Sequence, residues 1–207
     1  MPKPTFFNLS KEKRETLMKA AIKEFSRVPL NDALIANIVK FAGIPRGSFY
    51  QYFEDKEDLF FYLLDQYAEE NKESFILSLE KANGDLFDTF IVEFKRMIVN
   101  FRKKENRDFF KNAFLNMNHK VETAILKSSD EEKFYHHFID IKNFINISKL
   151  NIADEHELLH VIQILMAVTM HNLIQNFARE LPFEDSLKNY TLEIELLKKG
   201  LCKKIDG

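Results

Sequence analysis

The sequence predicts an all-α protein. Apolar residues recur at intervals of three and four along much of the 207-residue chain, which is the spacing of one buried helix face. Gly and Pro occur only five times each, so few positions interrupt these stretches. Hydrophobic residues make up 45% of the chain. Together these observations favour an all-helical protein with short connections. Its elements, taken in order, form a short group of N-terminal helices followed by a larger helical bundle.

The first helix is predicted over residues 11–27. The ten residues before it contain two prolines and no periodicity, so we expect an extended arm whose Phe6 and Phe7 tuck against the helix. Ser10 is a favourable N-cap because its hydroxyl can accept a hydrogen bond from the first turn. Pro29 should end the helix, because the residue before a proline avoids helical geometry.

Two shorter helices should follow, joined by a tight turn. Asn31 and Asp32 are expected to form a turn and to cap the second helix, over residues 33–41. Gly43 stands where a left-handed residue is needed, since it has no Cβ to clash. Pro45 suits the start of the third helix, where its missing N–H removes no helical hydrogen bond.

The rest of the chain is predicted to form longer helices. A fourth helix of about 25 residues, capped by Asp55, should run unbroken until Gly84. Six further helices are expected over residues 85–104, 106–118, 119–128, 130–149, 154–180 and 184–204. We divide the chain into a first domain of residues 1–56 and a second of residues 57–207, with 57–82 as the connecting helix.

Composition and motifs disfavour several classes of protein. The single cysteine, Cys202, excludes an internal disulfide and supplies no metal-binding cluster. No Gly-rich phosphate loop, nucleophile elbow or metal-spaced set of Cys and His residues is recognised, so no enzyme, cofactor or metal site is expected. The first residues lack the apolar core of a signal peptide, and no uninterrupted apolar stretch approaches a membrane span. We therefore expect a cytoplasmic protein.

Charge is distributed unevenly along the chain. The formal net charge of the whole protein is −2. Residues 1–56 hold ten Lys and Arg against six Asp and Glu, a balance of +4, and the remaining residues carry −6. Positive potential is therefore concentrated where the short helices are predicted, as expected for a surface that meets nucleic acid.

The third predicted helix carries side chains that suit a DNA groove. A guanidinium, an amide and two phenols follow the turn glycine within two helical turns, as in the second half of a helix-turn-helix. The candidate DNA-binding residues are Arg46, Gly47, Ser48, Tyr50, Gln51, Tyr52 and Lys56. The alternative interpretation is a packed amphipathic helix whose phenols are merely solvated.

Three of these residues are assigned to base recognition. The planar fork of Arg46 matches the O6 and N7 atoms of guanine, and Gln51 can make the comparable contact to adenine. Gly47 lets the backbone approach the base edges. The remaining residues are assigned to phosphates: the hydroxyl groups of Ser48, Tyr50 and Tyr52, and the charge of Lys56.

A recognisable pattern of residues runs from Ala20 to Phe60. Its members are Ala20-Ala21, Phe25, Ile38, Ala42-Gly43-Ile44, Gly47-Ser48-Phe49-Tyr50, Tyr52-Phe53 and Lys56-Glu57-Asp58-Leu59. This pattern resembles the N-terminal domain of TetR-type transcriptional repressors. Two positions depart from it, because the family favours Ser or Thr where this chain has Leu34 and Pro45. The hydroxyl contacts to DNA that those positions supply in the family are not expected here.

The resemblance implies a homodimer that binds a palindromic operator and is released when a small molecule enters the C-terminal domain. The predicted helices over 154–180 and 184–204 have broad apolar surfaces and are assigned to the dimer interface. The candidate ligand-binding residues are Phe90, Phe94, Phe110, Phe114, Tyr135, Phe138, Met166 and Met170. So apolar a set favours a hydrophobic effector. The alternative is an effector-free DNA-binding protein, structural or partner-recruiting, in which these side chains only fill the core.

Overall fold

The computed structural model describes residues 1–116 and 139–202, and it confirms the all-α class. The helices are α1 (Pro4–Phe7), α2 (Lys11–Arg27), α3 (Ile35–Ala42), α4 (Arg46–Tyr52), α5 (Lys56–Lys81), α6 (Leu86–Phe101), α7 (Lys104–Leu115), α8 (Glu155–Ala178) and α9 (Phe183–Leu201). Short 3₁₀ turns occupy Leu30–Asp32 and Ile147–Lys149. Within the described ranges, β structure is limited to an isolated bridge between Leu150 and Cys202.

The chain forms two compact units. Of the described residues, the first unit contains 1–70 and 101–116, and the second contains 71–100 and 139–202. Helices α1 to α4 and α7 therefore belong to the first unit, and α8 and α9 belong to the second. Helix α5 contributes residues to both. Each unit buries its own set of apolar side chains.

The core of the first unit is built on an apolar stripe along α2, which consists of Leu17, Ala20, Ala21 and Phe25. All four residues are buried. Phe25 packs edge-on against Phe60 of α5, with ring centroids 5.1 Å apart. Phe49 of α4 and Phe53 just after it are fully buried. Each such phenylalanine contributes about 1.5–3 kcal/mol of burial free energy.

The N-terminal arm is not extended, so this prediction was wrong. Residues Pro4–Phe7 form one helical turn, in which Pro4 takes the first position, where its fixed φ is favourable. Phe6 is 1% exposed and lies between the rings of Phe53 and Tyr62, with centroids 5.0 and 5.3 Å away. Phe7 is exposed instead. The arm folds back because Phe6 gains a fully buried site.

The long helices begin and end close to the predicted residues, with one exception. Helix α5 has 26 residues and starts at the predicted cap, since Asp55 Oδ1 accepts a hydrogen bond from the Asp58 N–H at 2.7 Å. For the helix predicted over 130–149 the predicted end lies too far along the chain, because its described part is helical only over 139–142. The Asn146 N–H donates to the Gly84 carbonyl at 2.9 Å. In a continuing helix the same N–H would instead donate to the carbonyl four residues earlier in the chain. The helix predicted over 119–128 lies outside the described residues.

The second unit contains the antiparallel pair α8 and α9. Helix α8 buries nine residues, which are Leu158, Val161, Ile162, Leu165, Thr169, Asn172, Leu173, Asn176 and Phe177. Among the described helices it is the one long and apolar enough to cross a membrane, with a mean hydropathy of 1.4 over an 18-residue window. Its buried polar side chains form hydrogen bonds to α9, as expected for a core helix.

Candidate nucleic-acid interface

The turn between α3 and α4 contains the predicted left-handed glycine. Gly43 has a φ of 67° and a ψ of 30°. The Ile44 N–H donates to the Val39 carbonyl at 3.1 Å, which closes the end of α3 as in a Schellman motif. A Cβ added to Gly43 would meet no atom within 4 Å, so the requirement for glycine is conformational rather than steric.

Helix α4 places its apolar and polar residues on opposite sides. Phe49 is fully buried. Arg46, Gly47, Tyr50 and Gln51 are exposed, and their positions cover an arc of about 140° on the helix circumference. We call these four residues the outward face of α4. It presents the guanidinium of Arg46, the amide of Gln51, the phenol of Tyr50 and, at Gly47, a backbone position without a side chain.

The other three candidate DNA-binding residues lie beside this face. Ser48 and Tyr52 are half-buried. The ammonium group of Lys56 donates to the carbonyls of Asn31 and Ala33 at 2.6 and 2.9 Å. In the DNA-free chain Lys56 therefore holds the turn that precedes α3. Its contact to a phosphate stays a prediction.

The N-terminal end of α3 is capped by a residue of α2 and not by Asp32. Leu34 occupies the N-cap position and has no side chain that can accept a hydrogen bond. The carboxylate of Glu24 accepts one from the Leu34 N–H at 2.9 Å and another from the Asn37 amide at 3.0 Å. The predicted cap was wrong because Asp32 belongs to the 3₁₀ turn that ends before the helix begins.

The surroundings of Glu24 keep its carboxyl group ionised. Glu24 is fully buried and bonds the guanidinium of Arg27 through both oxygens, at 2.7 and 2.9 Å. These bonds, against the opposing effect of burial and with help from Leu34 and Asn37, lower the pKa of Glu24 from 4.5 to about 2. A negative charge is thereby fixed at the N-terminal end of α3, where the helix dipole favours it.

The C-terminal end of α4 is also completed from a distance. Lys3 donates its backbone N–H to the Tyr52 carbonyl and its ammonium group to the Tyr50 carbonyl, both at 2.8 Å. Thr5 donates its hydroxyl proton to the carbonyl of Gln51. The sequence offers no local pattern for these contacts, because the paired side chains and carbonyls lie 46 and 47 positions apart.

Six of the eight candidate ligand-binding residues lie within the described part of the chain, and Tyr135 and Phe138 do not. Phe90 and Phe94 are buried on α6 in the second unit. Each packs against another aromatic ring of that unit, with ring centroids 5.5 and 3.9 Å apart respectively. These two residues thus already have the contacts expected of core side chains.

The remaining four candidates divide between the units. Phe110 and Phe114 are buried on α7 in the first unit, where Phe110 packs on Phe101 with ring centroids 4.1 Å apart. Met166 and Met170 are half-buried on α8 in the second unit. The predicted set is therefore drawn from two cores.

One pair of histidines has metal-ligand spacing, which corrects the expectation that the chain holds none. His156 and His160 lie on one side of α8 with ring centroids 4.6 Å apart, and with Glu157 they spell a His-Glu-x-x-His sequence. Both imidazoles are exposed, and His160 bonds to Gln163. The Glu157 carboxylate accepts the N–H of Ala153 at 2.6 Å and so serves the helix start. Among the described residues, no group of three potential ligands forms here.

Comparison with known families identifies the class of protein. Residues 17–63 match the model for bacterial regulatory proteins of the tetR family, and residues 85–201 match the tetracyclin repressor-like C-terminal domain. The second match alone spans more than half of the chain. The protein therefore belongs to the TetR family of transcriptional regulators. The outward face of α4 lies inside the first matched segment.

Individual relatives resemble the chain to different extents. The HTH-type transcriptional regulator YdgC of Bacillus subtilis (strain 168) is 49% identical over 49 residues, which are 24% of this chain and only 25% of that protein. NalD of Pseudomonas aeruginosa, the secondary repressor of the MexAB-OprM multidrug efflux pump, superposes with a TM-score of 0.63 at 15% identity, covering 94% of this chain and 98% of that one. A tetR-family regulator of Streptomyces coelicolor gives 0.60 at 17% identity, covering 91% and 81%. At these identities the two structural matches show the shared fold.

Proposed function

We propose that this TetR-family regulator is a repressor that binds a palindromic operator as a homodimer and is released by a small hydrophobic effector. Residues 1–56 serve as the DNA-binding domain, and residues 57–207 serve effector binding and dimerisation. The recognition helix is α4. The protein acts in the cytoplasm, where the operator is accessible.

The outward face of α4 is the observation that carries this proposal. Arg46 and Gln51 have the two donor geometries that match guanine and adenine edges in the major groove. Both side chains are exposed, and none of the described residues forms a hydrogen bond or ion pair with either. A guanidinium and an amide without partners among the described residues, at the first and sixth positions of the helix that follows a left-handed glycine, suit base recognition better than they suit packing.

Two DNA duplexes test the proposal. One is recovered from a random library by repeated selection on the protein, and the other is a scrambled duplex of the same length. The parent should bind the selected duplex on the order of 1,000-fold more tightly in a fluorescence anisotropy titration at fixed salt. Arg46→Ala should lose roughly tenfold or more of this discrimination.

A second exposed cation supplies the control. Lys40→Ala removes the same charge from α3, and it should weaken binding to both duplexes to a similar extent, because phosphate contacts carry no sequence information. If the parent binds neither duplex even in dilute buffer, DNA binding is the wrong function. If Arg46→Ala keeps the parent's discrimination, α4 is not the reader.

Exposed apolar side chains on α8 and α9 support the homodimer. Ile164, Leu192 and Leu196 are 43%, 55% and 59% exposed, and large apolar side chains at a surface are the kind that a partner covers. On α9 the two leucines lie on the side opposite the buried Tyr190. We expect a dimer at micromolar concentration in sedimentation equilibrium and a folded monomer for the double substitution Leu192→Glu, Leu196→Glu. A monomeric parent would contradict the interface.

The effector is proposed to bind among the apolar residues of the second unit. Phe90, Phe94, Met166 and Met170 are the candidates there. Both phenylalanines already pack against aromatic rings, so these side chains could simply fill the core. The alternative to a sensor is therefore an effector-free DNA-binding protein, structural or partner-recruiting. Thermal denaturation with a panel of apolar metabolites separates the two. A compound that raises the melting temperature and also releases the selected duplex supports an effector, and a panel with no such compound favours the alternative.

A further inference from the structure

The seven-residue helix α4 ends with every one of its last four carbonyls occupied. The Phe49 carbonyl accepts the Phe53 N–H at 2.9 Å, within the local chain. The next three are those of Tyr50, Gln51 and Tyr52, and all three accept from the N-terminal arm. A helix normally leaves its last four carbonyls to water or to a following glycine motif. In α4 the N-terminal arm supplies the donors that water or a glycine motif would otherwise supply.

The arm is held in place independently of these hydrogen bonds. Phe6 is 1% exposed, and the rings of Phe53, Tyr62 and Tyr52 surround it with centroids 5.0, 5.3 and 6.4 Å away. Lys3 and Thr5 lie three residues and one residue before this anchor in the sequence. The burial of Phe6 therefore fixes the backbone from which both donors reach α4. The donors are therefore preorganised.

So short a helix depends strongly on its ends. Helices much shorter than about 12 residues are marginal in water, because nucleation fixes several residues for each hydrogen bond gained. The last turn of α4 carries Tyr50, Gln51 and Tyr52, three of the residues assigned to DNA. Disorder in that turn would blur the position of the Gln51 amide relative to a base edge. The charge of Lys3 at a helix C-terminus adds a favourable interaction with the helix dipole.

We propose that Lys3 and Thr5 are positioning residues for operator recognition, which act by capping the last turn of α4 and not by touching DNA. This proposal rests on the proposed function, because it names residues that govern the same site. The ammonium group of Lys3 faces the Tyr50 carbonyl, and the hydroxyl proton of Thr5 is committed to Gln51. Their contribution should therefore appear in discrimination between duplexes and not in the general attraction to phosphate.

The test uses an uncharged pair of variants at position 5. Thr5→Val keeps the shape of the side chain and removes the hydroxyl donor, whereas Thr5→Ser keeps the donor. Thr5 is exposed, so neither change disturbs the core. We expect Thr5→Val to bind the selected duplex about fivefold more weakly and the scrambled duplex unchanged, as the loss of one hydrogen bond implies. Thr5→Ser should bind both duplexes like the parent.

Hydrogen exchange on the free proteins supplies a second readout. In Thr5→Val the amides of residues 50–53 should exchange about fivefold faster, while those of α2 should be unchanged. A general loss of stability would instead speed exchange in both helices and lower the melting temperature. The first result supports a local cap, and the second overturns the positioning role.

Lys3→Met separates positioning from direct contact. We expect about a tenfold loss on the selected duplex with the salt dependence of binding unchanged. If Lys3 instead contacts a phosphate, both duplexes weaken and the slope of log K against log salt falls by about 0.9, which overturns the proposal for Lys3. If Thr5→Val binds the selected duplex with the affinity of the parent, the proposal for Thr5 is overturned. A parent that binds no duplex overturns the proposed function and this role together, whereas the exchange rates still decide whether the arm caps α4.

Discussion

The two units of this protein use their polar side chains in different ways. In the first unit they reach helix ends that are remote in sequence. Glu24 serves the start of α3, Lys3 and Thr5 serve the end of α4, and Asn112 of α7 donates to the carbonyls of Phe25 and Ser26 near the end of α2 at 2.9 and 3.0 Å. The short helices α3 and α4 are therefore held through their backbone groups.

In the second unit polar side chains bond to one another across the pair of long helices α8 and α9. The Thr169 hydroxyl lies 2.7 Å from that of Tyr190. Asn172 donates to the Glu193 carboxylate at 2.6 Å, and Asn176 donates to Ser186. These pairs fix the register of α8 against α9.

Helix length explains the difference. Helices α3 and α4 have eight and seven residues, whereas α8 and α9 have 24 and 19. Each helix leaves four N–H and four C=O groups without internal partners, whatever its length. These groups are half of the backbone hydrogen-bonding groups of α3 and more than half of those of α4, so capping decides whether these two helices form. For the long helices side-chain packing decides how they pair.

The largest effect is expected at Glu24. Glu24→Ala should lower the free energy of unfolding by about 2–3 kcal/mol in urea denaturation, because it leaves the Leu34 N–H without its acceptor and Arg27 without its partner. Glu24→Gln is the matched control, since its oxygen can still accept from Leu34, and it should lose about half as much. Equal losses in the two variants would show that capping contributes nothing beyond the ion pair.

The ionisation of Glu24 also predicts a pH dependence. The native state holds the pKa of Glu24 at about 2, below its ordinary value of 4.5. Its contribution to stability is therefore complete above pH 4.5 and is lost as the pH falls through 4.5 toward 2. Because glutamine does not titrate, the stability difference between parent and Glu24→Gln should shrink over that window. A difference that stays constant from pH 6 to pH 3 would contradict the lowered pKa.

A smaller effect is expected where α7 meets the end of α2. Asn112→Ala leaves two carbonyls of α2 without their donor and should lower the free energy of unfolding by about 1–2 kcal/mol. Asn116→Ala is the control at the end of the same helix, because Asn116 is exposed and its side chain bonds, among the described residues, to the carbonyl of Asn112 alone. It should change stability by less than about 0.5 kcal/mol. If both variants lower the free energy of unfolding by similar amounts, Asn112 does not act as a cap for the end of α2.

In the second unit the test is the hydroxyl of Tyr190. Thr169 donates its proton to the Leu165 carbonyl, so Tyr190 is the donor to Thr169, and burial raises the pKa of that phenol. Tyr190→Phe keeps the ring stacked on Phe94 and should lower the free energy of unfolding by about 1 kcal/mol. A double-mutant cycle with Thr169→Val isolates the pair, and a coupling energy of zero would show that the bond does not stabilise the register.

The smallest effect is expected for an ion pair near the surface of the second unit. Lys198 lies 2.9 and 2.7 Å from the carboxylates of Asp85 and Asp88. Lys198→Met should cost about 0.5 kcal/mol or less, and the difference should fade in high salt because solvent screens partly exposed charges. If Lys198→Met lowered the free energy of unfolding as much as Glu24→Ala, the claim that buried caps stabilise this protein more than surface ion pairs would be wrong.

Local signals in the sequence predicted much of this structure. Ser10 and Asp55 cap the helices that follow them, and Gly43 takes the left-handed conformation at the end of α3. Phe49 faces the core, and helical periodicity then places Arg46, Gly47, Tyr50 and Gln51 on the outward face of α4. In each case the deciding interaction joins residues a few positions apart, or follows from helical periodicity.

The contacts missed from the sequence are those between residues far apart in the chain. Glu24 lies on the apolar stripe of α2, seven residues after Leu17, and a carboxylate at such a position is the one signal that pointed to a buried partner. Lys3 and Thr5 gave no signal, because charged and hydroxyl residues in an N-terminal segment are common. The ligand candidates were chosen by hydrophobicity alone, which does not distinguish core side chains from those of a binding site.

Hydrogen exchange with and without the selected duplex tests the central claim most directly, since it reports which backbone segments meet DNA. We expect slower exchange in residues 35–53, which include α3, α4 and the turn between them, and in the arm that caps α4. Exchange in α8 and α9 should be unaffected at the same protein concentration. Protection that leaves residues 46–52 at their free rates, with the duplex bound, would show that α4 is not the recognition helix.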